Sequence, residues 1–271
     1  AADVLARMRL AFYAAAALAP STWQRLHAVA RRVRPAQPLW LTTSWKSTET
    51  APAVTIAHWH LEGAGCIGAP LPGLELKLVP NGSKLEMRVR GVSVFAGYRN
   101  APRETAAAFD HEGFYRIGDA GYLVDAEQPD KGVVFNGRVA EDFKLSSGSW
   151  VSVGTLRVDL VSQLAPLVHD IVLTGADRDE VGMLVFPSAA GAADAARLEQ
   201  ALQAVMRARR DAGAGSSQCP TRAMVMHTAP DADAGEITDK GYINQGAVLS
   251  RRAAAVQALY AHPAAPGVIG A

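Results

Sequence analysis

The chain has 271 residues, 49% of them hydrophobic and 20% charged, a composition that fits a globular protein with one large or two modest cores. Lys and Arg number 27 against 26 Asp and Glu, leaving a formal net charge of +1 with no basic or acidic block, which argues against a nucleic-acid or membrane-surface role. The 2 cysteines, Cys66 and Cys219, supply neither a disulfide framework nor a zinc site, so a reducing, cytoplasmic setting is expected.

The chain opens with "AADVLARMRL", without an initiating Met and inside an amphipathic, helix-like pattern, as expected of the C-terminal portion of a longer protein. "LAFYAAAALAP" (10–20) is too short to span a bilayer and lacks a basic leader. Residues 21–33 predict a helix capped by Ser21, with Trp23, Leu26, Val29, Ala30 and Val33 on one stripe, and "RPAQP" ends it. A β-prone run follows at 39–44, then "WKSTETAP" (45–52) as loop. "LELKLVPNGSKLEMRVRG" (74–91) predicts a hairpin with one buried face. Leu74, Leu76 and Leu78 alternate with polar residues, Asn81-Gly82 turns the chain, and Leu85, Met87 and Val89 alternate again.

A short helix is predicted from Pro102, and short strands at about 113–117, 121–125 and 133–137 lead to "GRVAEDFK". Beyond it the texture changes. A helix is expected over "VSVGTLRVDLVSQLA", buried strands over "DIVLTG" and "VGMLVFP", and one long Ala-rich helix over "AADAARLEQALQAVMRARRDAG". A strand over "RAMVMH" and a final helix over "NQGAVLSRRAAAVQALYA" complete the pattern. The expected division is 1–139 and a compact α+β unit at 140–271, with a joint at about 138–142.

Four stretches could carry chemistry. In "SWKSTET" (44–50) Thr48 could donate to a phosphate oxygen, Glu49 could hold Mg²⁺ and Trp45 could offer a flat face to a purine; a polar turn with a buried Trp accounts for the same residues. In "GFYRIGDAGYLVD" Asp119 either accepts from two ribose hydroxyls or bonds its own backbone in a turn. "FNGRVAEDFKLSSGSWVSVG" sets Arg138 and Lys144 on either side of a polar joint, with Gly148 following; a solvated linker reads the same way. The fourth, "GEITDKGYINQ", places Lys240 beside Gly241 in a turn-prone segment, where a surface lysine is the ordinary expectation. "HWH" at 58–60 puts His58 and His60 on one side of a strand without a third ligand. A Gly-rich phosphate loop and a nucleophile elbow are both missing.

In order and wording, "SWKSTETAP", "GAPLPGLELKLVPNGSKLEMRVRG", "YRIGDAG", "NGRVAEDFKLSSGSWVSVGTLR" and "GEITDKGYINQGAVL" resemble the C-terminal half of the acyl-adenylate-forming superfamily, and within it the feruloyl-CoA synthetases. The resemblance runs from about residue 10 to residue 260. It implies an α/β and α+β architecture: the β-rich remnant of the large AMP-binding domain, then a small mobile C-terminal domain. It also implies a two-step reaction, in which ATP and a carboxylic acid such as ferulate give an acyl-AMP and pyrophosphate, and CoA then displaces AMP. By position, Trp45 matches the aromatic residue against adenine, Thr48 and Glu49 the residues serving phosphate and Mg²⁺, and Ala14, Ala15 and Ala16 the small-residue loop beside the purine. Asp119 and Arg138 match the ribose ligands, Lys240 the mobile lysine of adenylation, and Lys144, Gly148 and Trp150 the CoA side.

Three departures stand out. Lys46 and Ala15 occupy positions that are commonly glycine, and the usual hinge acid falls on Ala140 with Glu141 beside it. The phosphate-gripping loop should lie upstream of residue 1, so the expected partner is a completing N-terminal half or a second copy covering exposed apolar surface. The alternative to a ligase is a truncated or degenerate module that binds AMP, CoA or a partner without turnover.

Overall fold

The computed structural model describes residues 2–14, 18, 20–36, 39–82, 84–238 and 241–271. The chain forms two compact units, Ala1–Ala140 and Glu141–Ala271.

The first unit contains α1 (Ala2–Arg7), β1 (Leu10–Tyr13), α2 (Pro20–Val33), β2 (Trp40–Trp45), β3 (Thr55–Ile56), β4 (Ala69–Pro70), β5 (Leu74–Asn81), β6 (Lys84–Gly91), α3 (Pro102–Ala108), β7 (Tyr115–Leu123) and β8 (Val133–Arg138). Two four-stranded sheets result, in the orders β1-β2-β3-β4 and β5-β6-β7-β8. Among the described residues of this unit, β1 and β2 run parallel, joined through α2 as a βαβ crossover, and the other pairs are antiparallel. Trp23, Ala30, Leu39 and Leu41 bury together under α2, and Trp45, Val54, Met87, Val89, Tyr115, Ile117 and Val133 form a second cluster.

Local chemistry shifts several predicted details. Helix α2 starts at Pro20, whose fixed φ suits a first turn, so Ser21 lies inside the helix rather than at its cap. Its inward stripe has Trp23 and Ala30 buried and His27 half-buried, whereas Leu26 and Val29 are exposed. Trp45 belongs to β2, and the loop after it tightens into a 3-10 turn at Thr48–Thr50. Asn81 pairs with Lys84, which moves the hairpin turn one residue on from Asn81-Gly82. Leu85, one residue in from the turn, is exposed while Met87 and Val89 are buried, and β7 carries a bulge opposite Glu86–Arg88. The two strands expected at 113–117 and 121–125 are one strand, β7, with the irregularity between Asp119 and Gly121.

The second unit contains β9 (Phe143–Lys144), β10 (Trp150–Val151), α4 (Val153–Gln163), β11 (Val168–Thr174), β12 (Val181–Pro187), α5 (Ala189–Ala193), α6 (Ala195–Asp211), β13 (Pro220–Val225), α7 (Gln245–Arg251), α8 (Ala253–Leu259) and β14 (Val268–Gly270). Its main sheet has the order β11-β12-β13-β14, with β12 and β13 parallel. Ile171, Leu173, Met183 and Val185 pack with Leu156 and Leu160 of α4 and Leu198, Leu202 and Met206 of α6. The alternate residues Val172, Leu184 and Phe186 pack with Val248 of α7 and Leu259 of α8. Both faces are covered, which is why these strands read as continuous apolar runs. The long helix expected near 192–213 is broken at Asp194, whose carboxylate accepts from Arg197 N–H at 3.0 Å as the cap of α6. The expected last helix is likewise two, α7 and α8, divided at Arg252, and β14 follows it unforeseen.

One glycine shows how closely the first unit packs. Gly68 has φ +86°, and a Cβ there would stand 2.1 Å from the Ile56 carbonyl carbon. Gly68→Ala is expected to cost about 2–4 kcal/mol in chemical denaturation, from backbone strain and overpacking together. Gly148→Ala, also at positive φ but facing open space, should cost only the strain, about 1–2 kcal/mol. Equal losses would contradict the packing argument.

Candidate functional site

Because β1 and β2 are parallel, with Leu10 opposite Trp40 and Tyr13 opposite Thr43, their C-terminal ends open on the same edge. Open α/β sheets place ligands at that edge. Ala14 follows β1 there and is exposed, while Ala15 and Ala16 lie outside the described residues. β2 delivers Trp45 and then the exposed Lys46. Ser47 N–H donates to Thr50 Oγ1 at 2.9 Å, closing the turn that carries exposed Thr48 and half-buried Glu49.

A segment that sequence reasoning passed over holds this turn. Phe95 N–H donates to the Glu49 carbonyl at 2.8 Å, the Ser93 hydroxyl to the Thr50 carbonyl at 3.3 Å, and the Tyr98 hydroxyl to Glu49 Oε1 at 3.1 Å. The Phe95 ring sits 4.7 Å from Tyr98, 5.6 Å from Phe109 and 5.3 Å from Tyr115 between centroids. Its only signal in the sequence is the aromatic pair in "VFAGY", just beyond the hairpin. Burial pushes the Glu49 carboxyl up, but hydrogen bonds from its own backbone, Ser47, Tyr98 and Tyr115 outweigh it and hold the group below its ordinary value.

Asp119 lies within β7 rather than at a strand end, opposite Arg138 of β8. Its Oδ2 accepts from Trp45 Nε1–H at 2.8 Å, and its Oδ1 from Arg138 Nη1–H at 3.3 Å. Trp45 is 7% exposed and Asp119 8%, whereas the Arg138 side chain is 54% exposed. Residues from β2, β7 and β8 thus meet at one carboxylate.

In the second unit, Trp150 of β10 pairs with Lys144 of β9, and Lys144 Nζ stands 5.0 Å from the centre of the indole. Gly148 turns the hairpin with φ +83° and donates to the Leu145 carbonyl at 2.9 Å. The hairpin is tied to the turn after β11: Asp177 N–H donates to Lys144 O at 2.9 Å and Ser146 N–H to Arg178 O at 2.8 Å.

Asp239 and Lys240 lie outside the described residues, but their flanks are ordered by hydrogen bonds. Ile237 bridges Ile243, Thr238 N–H donates to Tyr242 O at 2.7 Å, and Gly241 N–H donates to Thr238 O at 2.8 Å. Below this hairpin Glu236, 2% exposed, accepts from Arg252 through both carboxylate oxygens. Neither residue of that pair stood out in the sequence.

His58 and His60 are exposed and occupy a loop after β3 rather than a strand; Trp40 Nε1–H donates to the Trp59 carbonyl between them at 3.2 Å. Among the described residues no group of three ligating side chains could hold a metal ion. Cys66 and Cys219 are both free thiols. Among the described residues, no helix is long and apolar enough to cross a membrane.

Residues 143–264 match the AMP-binding enzyme C-terminal domain. The chain is 29% identical over 164 residues to a probable acyl-activating enzyme 16, chloroplastic, of Arabidopsis thaliana, covering 55% of this chain and 22% of that protein. It is 37% identical over 90 residues to the phenylacetyl-CoA ligase epaB of Aspergillus niger, covering 30% of this chain and 17% of that one. In fold it is similar to the A domain of carboxylic acid reductase from Segniliparus rugosus, a structure in complex with AMP and a co-purified carboxylic acid, with a TM-score of 0.70 and 23% identity over 94% of this chain and 39% of that one. The chain therefore spans about a fifth of the length of these curated relatives. The mixed α/β fold is that of part of an adenylation domain, and the sequence matches support the adenylate-forming superfamily.

Proposed function

We propose, on the premise of an adenylate-forming chain, that this protein is the C-terminal half of an ATP-dependent carboxylic acid–CoA ligase of the feruloyl-CoA synthetase type. The observation that carries the reading is the Asp119 carboxylate, set by Trp45 and Arg138 beside the turn-bearing end of β2. A fixed carboxylate is a strong acceptor for the two vicinal hydroxyls of a ribose. Around it the roles follow the chemistry. Ala14, Ala15 and Ala16 border the purine, and Thr48 serves a phosphate oxygen. Glu49 is the residue that would hold Mg²⁺. Its side-chain partners Ser47, Tyr98 and Tyr115 are neutral hydroxyls, and a lone carboxylate suits an ion carried in on phosphates. When bound, that ion neutralises phosphate charge.

Adenylation brings a substrate carboxylate against the α-phosphate, and Lys240 is the cation assigned to the charge gathered there. Lys144, Gly148 and Trp150 are assigned to the CoA side, and the joint at about 138–142 to the movement between half-reactions. The acid is an aromatic one such as ferulate, and the phosphate-gripping half is supplied by another segment or chain.

The test is calorimetric titration of AMP into the chain, with Asp119→Ala beside it. The wild type should bind and the variant should lose about 10–100-fold in affinity, the worth of charged hydrogen bonds. Unchanged affinity would remove Asp119 from the site. A second reading, a module that binds AMP or a partner without turnover, is favoured by the apolar side chains left exposed near β1 and α2: Val4, Leu10, Phe12, Leu26 and Val29. Pyrophosphate release with ATP, Mg²⁺ and ferulate, against an ATP-free control, separates turnover from binding alone.

A further inference from the structure

Trp45 and Asp119 are 74 residues apart, on strands of different sheets, yet their side chains meet through a hydrogen bond of 2.8 Å. Both are buried. The indole is itself immobilised: Trp45 pairs with Thr55 of β3, its carbonyl accepts from Val54 N–H at 2.9 Å, and its ring packs among Val54, Met87, Val89 and Tyr115. Arg138 reaches the other oxygen from an exposed position at 3.3 Å, where solvent weakens its hold. Of these two donors, the buried indole holds the carboxylate more firmly than the exposed cation.

We propose that Trp45 is a positioning residue: its indole N–H locks the Asp119 carboxylate in the orientation that receives a ribose diol. The assignment rests on the ribose reading of Asp119 and differs from a role for Trp45 as an aromatic wall. A wall needs only a ring, so phenylalanine would serve. A positioning donor needs the N–H, which phenylalanine lacks. An oxygen that accepts from the indole keeps a second lone pair for a ligand hydroxyl, so the two bonds are compatible.

The test titrates AMP and 2′,3′-dideoxy-AMP into the wild type, Trp45→Phe, Asp119→Asn and the double variant. Trp45→Phe should weaken AMP about tenfold while moving the dideoxy nucleotide by less than about twofold, and should add nothing to Asp119→Asn. Equal weakening of both nucleotides would show an effect that does not pass through the ribose hydroxyls and overturn the proposal; no weakening at all would leave Trp45 as a wall and overturn it too. In the ligand-free chain the Trp45 indole N–H resonance, identified by its loss in Trp45→Phe, should shift upfield in Asp119→Asn; a resonance that stays in place also overturns it. A wild type that binds neither nucleotide overturns the ribose reading, and the positioning role with it. Binding by the wild type with a silent Trp45→Phe overturns the positioning role alone.

Discussion

Arg252→Ala is expected to destabilise the C-terminal unit by about 3–5 kcal/mol, the usual consequence of removing one partner of a buried ion pair. Glu236 Oε1 accepts from Arg252 Nε–H at 2.9 Å, and Oε2 accepts from Arg252 Nη2–H at 2.7 Å and from Asp231 N–H at 2.9 Å. The same guanidinium donates to the carbonyls of Thr228 and Ala229, each at 2.9 Å, and covers the Phe186 ring at 4.9 Å. Alanine would strand a buried carboxylate and give up both of these main-chain bonds at once. Arg252→Lys keeps the charge but cannot reproduce the fork, so its loss should be intermediate.

The hydrogen bonds from Arg252, working against burial, bring the Glu236 carboxyl from 4.5 down to about 2. A depressed carboxyl stabilises the fold fully above the unfolded value and loses that contribution as the pH falls through the folded one. The wild type should therefore shed about 3 kcal/mol between pH 5 and pH 2 on account of this pair. Arg252→Ala should have lost it already at pH 7. Denaturant midpoints at the two ends of that range are the measurement. Parallel pH profiles for wild type and Arg252→Ala would show that the pair contributes nothing.

Lys240→Ala carries the largest effect expected on chemistry. In a chain joined to an N-terminal half, it should slow adenylation by about 10²–10³-fold, the scale seen when one preorganised charge donor is removed from a transition state. Thioester formation from supplied acyl-AMP should survive, because displacement of AMP does not gather the same pair of anions. ATP–pyrophosphate exchange reads the first half-reaction and acyl-CoA formation from acyl-AMP reads the second. Equal loss in both would end the role proposed for Lys240.

Elements with a strong local period were legible: the hairpin of β5 and β6 and the buried strands β11 and β12 follow from alternation and from apolar runs. What escaped depends on side chains competing with the backbone. Ala-rich residues run smoothly through 194 and past 252, and nothing in that period reveals that Asp194 caps a new helix or that Arg252 is recruited by Glu236. The exposure of Leu85 next to the hairpin turn is likewise invisible to a period of two.

The candidate site shows the same division. Trp45, Glu49, Asp119 and Arg138 are candidates by residue type within a motif, but the bond joining Trp45 to Asp119 spans 74 residues and that joining Tyr98 to Glu49 spans 49. Such contacts belong to tertiary structure, and no local pattern encodes them.

The hold of the 93–98 segment on the Thr48–Thr50 turn has a consequence for how the two can vary. Its tightest bond, Phe95 N–H to the Glu49 carbonyl, is main chain to main chain, and its far end is tied where Tyr98 N–H donates to Thr105 Oγ1 at 2.9 Å. Main-chain bonds are indifferent to which side chains accompany them but depend on how many residues lie between. Natural variants of this protein should therefore tolerate changes of residue type at the exposed Val92 and Ala96 more readily than an insertion or deletion, because one added residue would slide the segment out of step with the turn and carry the Tyr98 hydroxyl away from Glu49.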